Sequence, residues 1–205
     1  MYSDACEEKC GWDAELPAVL VTRWNKWETG LPLLVNTPRA LVKAGEPTET
    51  IALHAFGDAS GRGVAAAVYA VAEQESGVSQ GLVAARARLA KQGLTIPRLE
   101  LVAAHMAVNL LTNVRDAISW LPVQSMYGWL DSTMALYWIT GDGDYKQFVG
   151  NRVRKIKEHE DVIWRHVPTS ENAADLRSRG GPVNADNALW WTGPDWLANP
   201  SAWPV

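Results

Sequence analysis

Four acidic residues lie at the ends or borders of predicted strands and helices, where their carboxylates could meet: Asp58, Glu100, Asp131 and Asp175. Asp58 and Asp131 each end an apolar run, and a half-buried carboxylate is costly unless a cation lies beside it. Carboxylate oxygens are hard ligands that suit Mg²⁺. Two such ions about 3.5–4 Å apart can clamp the attacking and leaving oxygens of a phosphodiester. These residue types therefore predict a metal centre that could act on a phosphodiester.

The elements that would position the carboxylates follow from hydrophobic periodicity. Alternation predicts three consecutive strands joined by short turns, at 51–58, 63–72 and 81–90. A helix then carries an apolar stripe from Leu99 to Ile118, and Glu100 borders that stripe. The later elements are predicted as a strand at 125–130, helices at 134–140 and 145–159, a strand at 161–167, and a helix capped by Asn172 that ends at 180–181.

This order predicts an α/β fold with a five-stranded mixed sheet and helices on both faces. Three strands would form an antiparallel meander, and two more would be added in parallel through helical crossovers. The first and fourth strands can then lie side by side, so that Asp58 and Asp131 end at one edge. Glu100 would approach from the first long helix and Asp175 from the last. Without a cation, such a group would repel itself and partly protonate.

Composition limits the remaining classes of protein. The chain has 205 residues, 47% of them apolar, and a net charge of −4, so a polyanion would have to meet a local basic patch or metal ions. No apolar run is long enough for a membrane span and the start does not resemble a signal peptide, which predicts an intracellular protein. Cys6 and Cys10 are interpreted as free thiols, because no further zinc ligands lie near them. The loop at 141–144 lacks the rest of a calcium-binding pattern.

Three segments are expected from changes in composition. Residues 1–49 form a connection segment with an amphipathic helix at 15–30, followed by a proline-rich stretch. Residues 50–181 form the α/β domain that carries the four acidic residues. Residues 182–205 form a Trp-rich C-terminal tail, whose indoles are interpreted as packing groups.

Four motifs together carry a family resemblance. The sequence at 56–60 (FGDAS), 97–101 (PRLEL), 130–132 (LDS) and 166–176 (HVPTSENAADL) resembles the acidic motifs of the ribonuclease H domain of retroelement polyproteins. The sequences of these motifs are most similar to those of the BEL/Pao family of LTR retrotransposons. Further similar stretches at 11–13, 148–153, 178–180 and 190–191 extend the resemblance over nearly the whole chain.

The resemblance implies a ribonuclease H-like fold, with residues 50–181 as the ribonuclease H-like domain. It also implies an endonuclease that cuts the RNA strand of an RNA–DNA hybrid with two Mg²⁺ ions, for which Mn²⁺ can substitute. Asp58 would bridge both ions, Glu100 and Asp131 would complete one site, and Asp175 would hold the other. The implied partners are the hybrid and the reverse transcriptase and integrase segments of a polyprotein, with no membrane. The expected location is the cytoplasm, a virus-like particle or the nucleus.

Hybrid-binding residues are expected around these acids and on the basic helix at 145–159. The candidates are Ser60, Arg98, Ser132, Arg152, Arg154, His166 and Asn172. A second basic candidate surface consists of Arg86, Arg88, Lys91 and Arg98. Many ribonucleases H carry a histidine in the loop before the last acidic residue, whereas the loop at 169–171 contains none. His166 lies a few residues earlier on the predicted strand. Its side chain either faces the site or is simply packed or exposed.

Two other functions stay open at this point. The chain could be an inactive or host-retained copy that serves as a nucleic-acid-binding or scaffold module, which the absence of upstream polymerase motifs and of a following integrase zinc cluster favours. It could also keep the fold and cut or join DNA. The four intact acids favour the active ribonuclease.

Overall fold

A computed structural model gives a five-stranded sheet with helices on both faces, and it describes residues 4, 8, 10–11, 13–34, 42–181 and 187–205. The strands are β1 (Thr48–Ala59), β2 (Gly63–Gln74), β3 (Gly77–Leu89), β4 (Val123–Leu130) and β5 (Val162–His166). The helices are α1 (Ala18–Thr29), α2 (Ile96–Ala117), α3 (Thr133–Thr140), α4 (Gln147–Lys157), α5 (Asp175–Ser178) and α6 (Ala188–Thr192). Two 3₁₀ turns lie at Thr169–Glu171 and Pro200–Ala202.

The strand order across the sheet is β3-β2-β1-β4-β5. β1 pairs antiparallel with β2, and β2 pairs antiparallel with β3. β1 pairs parallel with β4, and β4 pairs parallel with β5. The predicted fold class is therefore confirmed, including the parallel neighbours β1 and β4 that bring Asp58 and Asp131 to one edge.

The bounds differ most at the turn between the second and third strands. The prediction left 73–80 outside both strands, whereas β2 and β3 stay paired as far as Gln74 opposite Gly77. Gly77 has a φ of +127°, a conformation that side-chain-bearing residues rarely adopt and that makes this tight turn feasible. Later in the chain, the helix α4 is two residues shorter at each end than the predicted helix at 145–159.

Two cores cover the two faces of the sheet, as strand alternation requires. Leu53 and Ala55 of β1 belong to the first core, which packs against α2, α3 and α4. Phe56 belongs to the second core, where aromatic side chains of the sheet meet the C-terminal tail, here residues 187–205. Buried members of this second core include Tyr69, Trp129, Trp190 and Leu197. The packing interpretation of these indoles agrees with their burial.

The described residues fall into two compact units. One contains the described residues up to 34 together with Gly181, and its helix α1 begins directly after Pro17. The other contains 42–180 and the C-terminal tail. Cys6, Trp12 and the stretch 35–41 of the predicted connection segment lie outside the described residues. Among the helices described, none is long and apolar enough to cross a membrane.

Candidate metal centre

Three of the four predicted acids converge at one edge of the sheet. One carboxylate oxygen each from Asp58, Glu100 and Asp131 lies within 4.8 Å of the other two. Asp58 is the next-to-last residue of β1, and Asp131 directly follows β4. The parallel register pairs Gly57 with Leu130, so the next residue along each strand is one of these carboxylates. We call this group of three the acidic edge.

Glu100 reaches the acidic edge because α2 lies very close to β1. A Cβ atom on Gly57 would lie 3.2 Å from the backbone of Ala103 and 3.0 Å from Leu130 Cδ2. Ala103 and Ala104 are fully buried, so small side chains on the helix complete this close approach. The second turn of α2 therefore holds Glu100 against the end of the strand, at only 6% exposure.

The electrostatics of the acidic edge favour a positive charge beside it. Burial raises the pKa of Asp58 to about 6, although the Ser178 hydroxyl opposes this shift. Burial also raises the pKa of Glu100 to about 9, with a further increase from the charges of Asp58 and Asp131. Among the described residues, Glu100 Oε2 has no hydrogen-bond partner although it is buried. Such an oxygen is costly in a metal-free site, and it is what a ligand set for a cation presents.

Asp175 lies at the margin of the acidic edge rather than inside it. It opens α5, and its Oδ1 atom accepts a hydrogen bond from Arg179 Nε at 2.5 Å. Its charge still raises the pKa of both Asp58 and Glu100. The structure therefore brings three predicted acids together and places the fourth beside them, engaged by an arginine.

Ser178 contacts the acidic edge, although the sequence analysis did not single it out as a site residue. It is 1% exposed, and its hydroxyl donates to Asp58 Oδ2. Its carbonyl oxygen accepts from Ser60 Oγ at 2.6 Å. A Cβ atom on Gly63 would lie 2.8 Å from that carbonyl, so the glycine permits this contact. In the sequence, only the similarity of residues 178–180 to retroelement sequences pointed to Ser178. That similarity assigned no role to the residue.

Comparison with known protein families identifies the family to which this chain belongs. The family model described as Pao retrotransposon-like RNaseH-like domain matches residues 1–132. The chain belongs to this family. Asp58, Glu100 and Asp131 lie within the matched residues and Asp175 lies beyond them. No curated protein matches the chain.

Several solved structures are similar to this Pao-family chain. They include RNase H1 from the halophilic archaeon Halobacterium salinarum NRC-1, at 20% identity over 62% of this chain and 93% of that one, with a TM-score of 0.42. The N-terminal RNase H domain of a Mycobacterium tuberculosis protein matches at 15% identity over 63% and 91%, with a TM-score of 0.41. An RNase H1 isolated from compost, in complex with an RNA/DNA hybrid, matches at 17% identity over 64% and 95%, with a TM-score of 0.36.

In this Pao-family domain, the side chain of Asn172 supports the acidic edge through hydrogen bonds. It is fully buried, and its Nδ2 atom donates to Gly57 O at 3.0 Å and to Asp131 Oδ1 at 3.3 Å. Its Oδ1 atom accepts from the backbone N–H of Ala174, one residue before α5 begins. Asn172 has no exposed surface and its side chain is engaged by these hydrogen bonds, while its expected contact with nucleic acid stays a prediction.

The other predicted contact residues of the Pao-family domain lie on α2, α4 and β5 and at the start of α3. Ser132 caps α3 by accepting from the backbone N–H of Ala135 at 3.3 Å. The guanidinium of Arg152 lies 3.7 Å from the ring centre of Phe148, and that of Arg98 lies 5.4 Å from it. The remaining two are Arg154, which is exposed on α4, and His166, which ends β5 opposite Leu130.

The residues of the acidic edge fit a divalent cation. The donor set consists of three carboxylates whose oxygens lie within 4.8 Å, and one of those oxygens is buried and unpartnered among the described residues. Such hard oxygen donors suit Mg²⁺ or Mn²⁺ better than softer transition metals. The Pao-family domain therefore contains an acidic group that could bind a metal ion.

Proposed function

We propose that this Pao-family domain is a metal-dependent endonuclease that hydrolyses the RNA strand of RNA–DNA hybrids during retrotransposon reverse transcription. The observation that supports this most directly is the convergence of Asp58, Glu100 and Asp131 at the end of two parallel strands, with a buried Glu100 oxygen left unpartnered among the described residues. Membership of an RNase H-like family supplies the reaction class.

Asp58, Glu100 and Asp131 would hold one Mg²⁺ ion, and Asp58 with Asp175 would hold a second; Mn²⁺ could take the place of either. When bound, the two ions supply an activated water and stabilise charge on the departing 3′ oxygen. Glu100 releases its proton when positive charge lies beside it, because an opposite charge favours the ionised form. Ser178 and Asn172 hold the carboxylates of Asp58 and Asp131 in place through their hydrogen bonds.

Hybrid binding would use the basic side chains near the acidic edge. Arg98 and Arg152 lie over Phe148, which keeps their guanidinium groups near one another and able to meet phosphate oxygens. Ser60, Ser132, Arg154 and His166 remain candidate contacts. Selectivity for the RNA strand would come from contacts with 2′-hydroxyl groups. In its polyprotein the domain would act with reverse transcriptase and integrase segments, in the cytoplasm, a virus-like particle or the nucleus.

The decisive test is cleavage of an end-labelled RNA–DNA hybrid with Mg²⁺, comparing the wild type with Asp58→Asn. The substitution keeps the shape of the side chain and removes its charge, so binding and folding are expected to persist while cleavage is lost. Duplex DNA of the same sequence serves as competitor and as alternative substrate. Equal cleavage by both proteins would contradict the proposed site, and preferential cleavage of duplex DNA would contradict the proposed substrate.

A binding module without catalysis is the second candidate function. The observation that favours it is the contact of Arg179 with Asp175, which engages the fourth acid with a positive charge from the chain itself. If Arg179 blocks the second metal position permanently, the wild type will bind the hybrid without cutting it, and Arg179→Gln will restore cleavage. Cleavage by the wild type would exclude this candidate.

A further inference from the structure

A cavity of about 300 Å³ lies between the end of β3, one side of α2 and the side chain of Arg152 on α4. Val64 and Leu99 are among its lining residues, and Leu99 is the neighbour of Glu100. None of the proposed metal ligands lines the cavity. We call it the basic cavity.

The rim of the basic cavity carries positive charge without matching acids. Arg86, Arg88, Lys91 and Arg152 line it, and no acidic residue is among the lining residues. Among the ion pairs found in the described ranges, none involves any of these four. In a protein with a net charge of −4, this local excess is unusual and attracts an anion.

The guanidinium of Arg152 is held in position rather than free. It lies over the Phe148 ring at 3.7 Å and donates to Phe148 O at 3.1 Å. Arg86 and Arg88, in contrast, are exposed residues of the edge strand β3 and can adapt to a ligand. A fixed cation opposite two adaptable ones suits a phosphate group, which guanidinium groups can bind with paired hydrogen bonds.

The inner wall of the basic cavity is apolar. Leu99, Val102 and Met106 line it from successive turns of α2, and His105 and Asn109 add polar atoms beside them. Burial and the cations Lys155 and Arg152 lower the pKa of His105, which disfavours a charge on its imidazole. An apolar wall next to a cationic rim matches a ligand with a flat apolar part and a phosphate.

We propose that the basic cavity binds a nucleotide, with its phosphate on Arg86, Arg88 and Arg152 and its base against the apolar wall of α2. Its volume lies at the lower end of the range of small-ligand pockets, which accommodates one nucleotide. The nucleotide could be free or could be one unit of a nucleic-acid strand, and both share the chemistry that the cavity recognises. The proposal does not depend on the proposed cleavage, because it concerns binding without metal.

The test is calorimetric titration in EDTA with adenosine monophosphate, inorganic phosphate and a short oligothymidylate as separate probes. Wild type is expected to bind adenosine monophosphate more tightly than phosphate, because the base adds apolar contact. Arg86→Gln/Arg88→Gln should weaken nucleotide binding by about tenfold or more, since two charged hydrogen-bond donors are lost. Both residues are exposed, so the variant should unfold at the same temperature as the wild type.

Lys43→Gln/Lys157→Gln is the charge-matched control, because neither lysine lines the cavity and the net charge changes equally. It should leave nucleotide binding unchanged. Tighter binding of the oligothymidylate than of the mononucleotide, lost in the arginine variant, would support a strand as the source. Binding of the mononucleotide alone would support a free nucleotide.

Three results would overturn the proposal: no binding of any probe, equal binding by both double variants, or binding of inorganic phosphate as tight as that of adenosine monophosphate. The outcome is independent of the proposed ribonuclease. Asp58→Asn should bind the nucleotide like the wild type in EDTA, even though we expect it to lose cleavage.

Discussion

The hydroxyl of Ser178 donates a hydrogen bond to Oδ2 of Asp58, a residue 120 positions earlier in the chain. This contact joins α5 to the end of β1 and opposes the rise in the Asp58 pKa that burial causes. It makes Ser178 a positioning residue for the acidic edge.

Ser178→Ala should raise the pKa of Asp58 above its present value of about 6, because the ionised carboxylate loses a donor. Folding should be destabilised by about 1–3 kcal/mol, since a buried acceptor loses its partner. Nuclear magnetic resonance titration of the Asp58 carboxyl carbon in metal-free protein measures the first effect. Ser60→Ala is the control: it removes the bond to the Ser178 carbonyl and leaves the hydroxyl in place. Equal shifts in both variants would contradict the assignment.

The stability of the metal-free protein should fall as pH rises. The folded-state pKa values of Asp58 and Glu100, about 6 and about 9, lie above their ordinary values of 3.8 and 4.5. The folded state therefore binds more protons than the unfolded state in this window, and each extra proton costs up to about 1.4 kcal/mol per pH unit as pH rises. The contribution is complete below about pH 4 and is lost as pH passes about 6 and then about 9.

Thermal unfolding in EDTA across this range measures the effect. Glu100→Gln should flatten the decrease between about pH 5 and 9, because the neutral side chain no longer titrates. A wild type whose unfolding temperature rises with pH over the same interval would show that the acidic edge is not strained by its own charge.

Mg²⁺ should stabilise the folded protein at about pH 8 and release protons as it binds. A ligand at one hundred times its dissociation constant adds about 2.7 kcal/mol to the free energy of unfolding. Calorimetric titration in two buffers with different ionisation enthalpies counts the released protons, which we expect to come mainly from Glu100. Asp58→Asn should reduce the stabilisation, and a matched ionic strength of KCl controls for screening. Stabilisation that Asp58→Asn leaves unchanged would place the ion elsewhere.

Gly57→Ala should destabilise the protein by about 1–3 kcal/mol and reduce cleavage. The added Cβ atom would meet the Ala103 backbone at 3.2 Å and Leu130 at 3.0 Å, so α2 would have to move away and take Glu100 with it. Gly61→Ala is the matched control, because its Cβ atom would meet nothing within 4 Å. Chemical denaturation and hybrid cleavage measure the two effects. Loss of stability without loss of cleavage would show that the position of Glu100 tolerates movement of the helix.

Trp190→Ala should destabilise the domain by about 3–5 kcal/mol, the usual cost of deleting a large buried aromatic side chain. Trp190 is 6% exposed, Arg177 lies 4.3 Å over its ring, and Tyr69 donates its hydroxyl to the Trp190 carbonyl at 2.7 Å. Trp120→Ala is the control, since Trp120 is 76% exposed and should change stability by less than about 0.5 kcal/mol. Equal unfolding temperatures for the two variants would mean that the C-terminal tail does not stabilise the domain.

The sheet was predictable because its information is local. Alternating apolar residues identified each of the five strands to within a few residues of its ends, and the helical stripe from Leu99 identified α2. The rule that parallel strands need a crossover then placed Asp58 beside Asp131, as their register confirms. The turn at Gly77 was missed, because β2 and β3 stay paired beyond the alternating segments from which they were predicted.

The proposed division at 49/50 and 181/182 stays a prediction, although the structure groups the C-terminal tail with the sheet. Contact between the tail and the sheet depends on shape and aromatic packing, for which the sequence of the tail alone provides only composition. Its indoles could equally have faced solvent or a ligand until their neighbours on the second face were known.

The sequence by itself determined the fold class, the family resemblance and the three carboxylates of the acidic edge. Only the tertiary structure decided that Ser178 and Asn172 hold two of them, that Arg179 engages Asp175, and that the basic cavity forms beside α2. The physical reason is range: strand and helix periodicity acts over a few residues. The contacts of Ser178 with Asp58 and of Asn172 with Gly57 join residues more than one hundred positions apart, for which local patterns specify no partner.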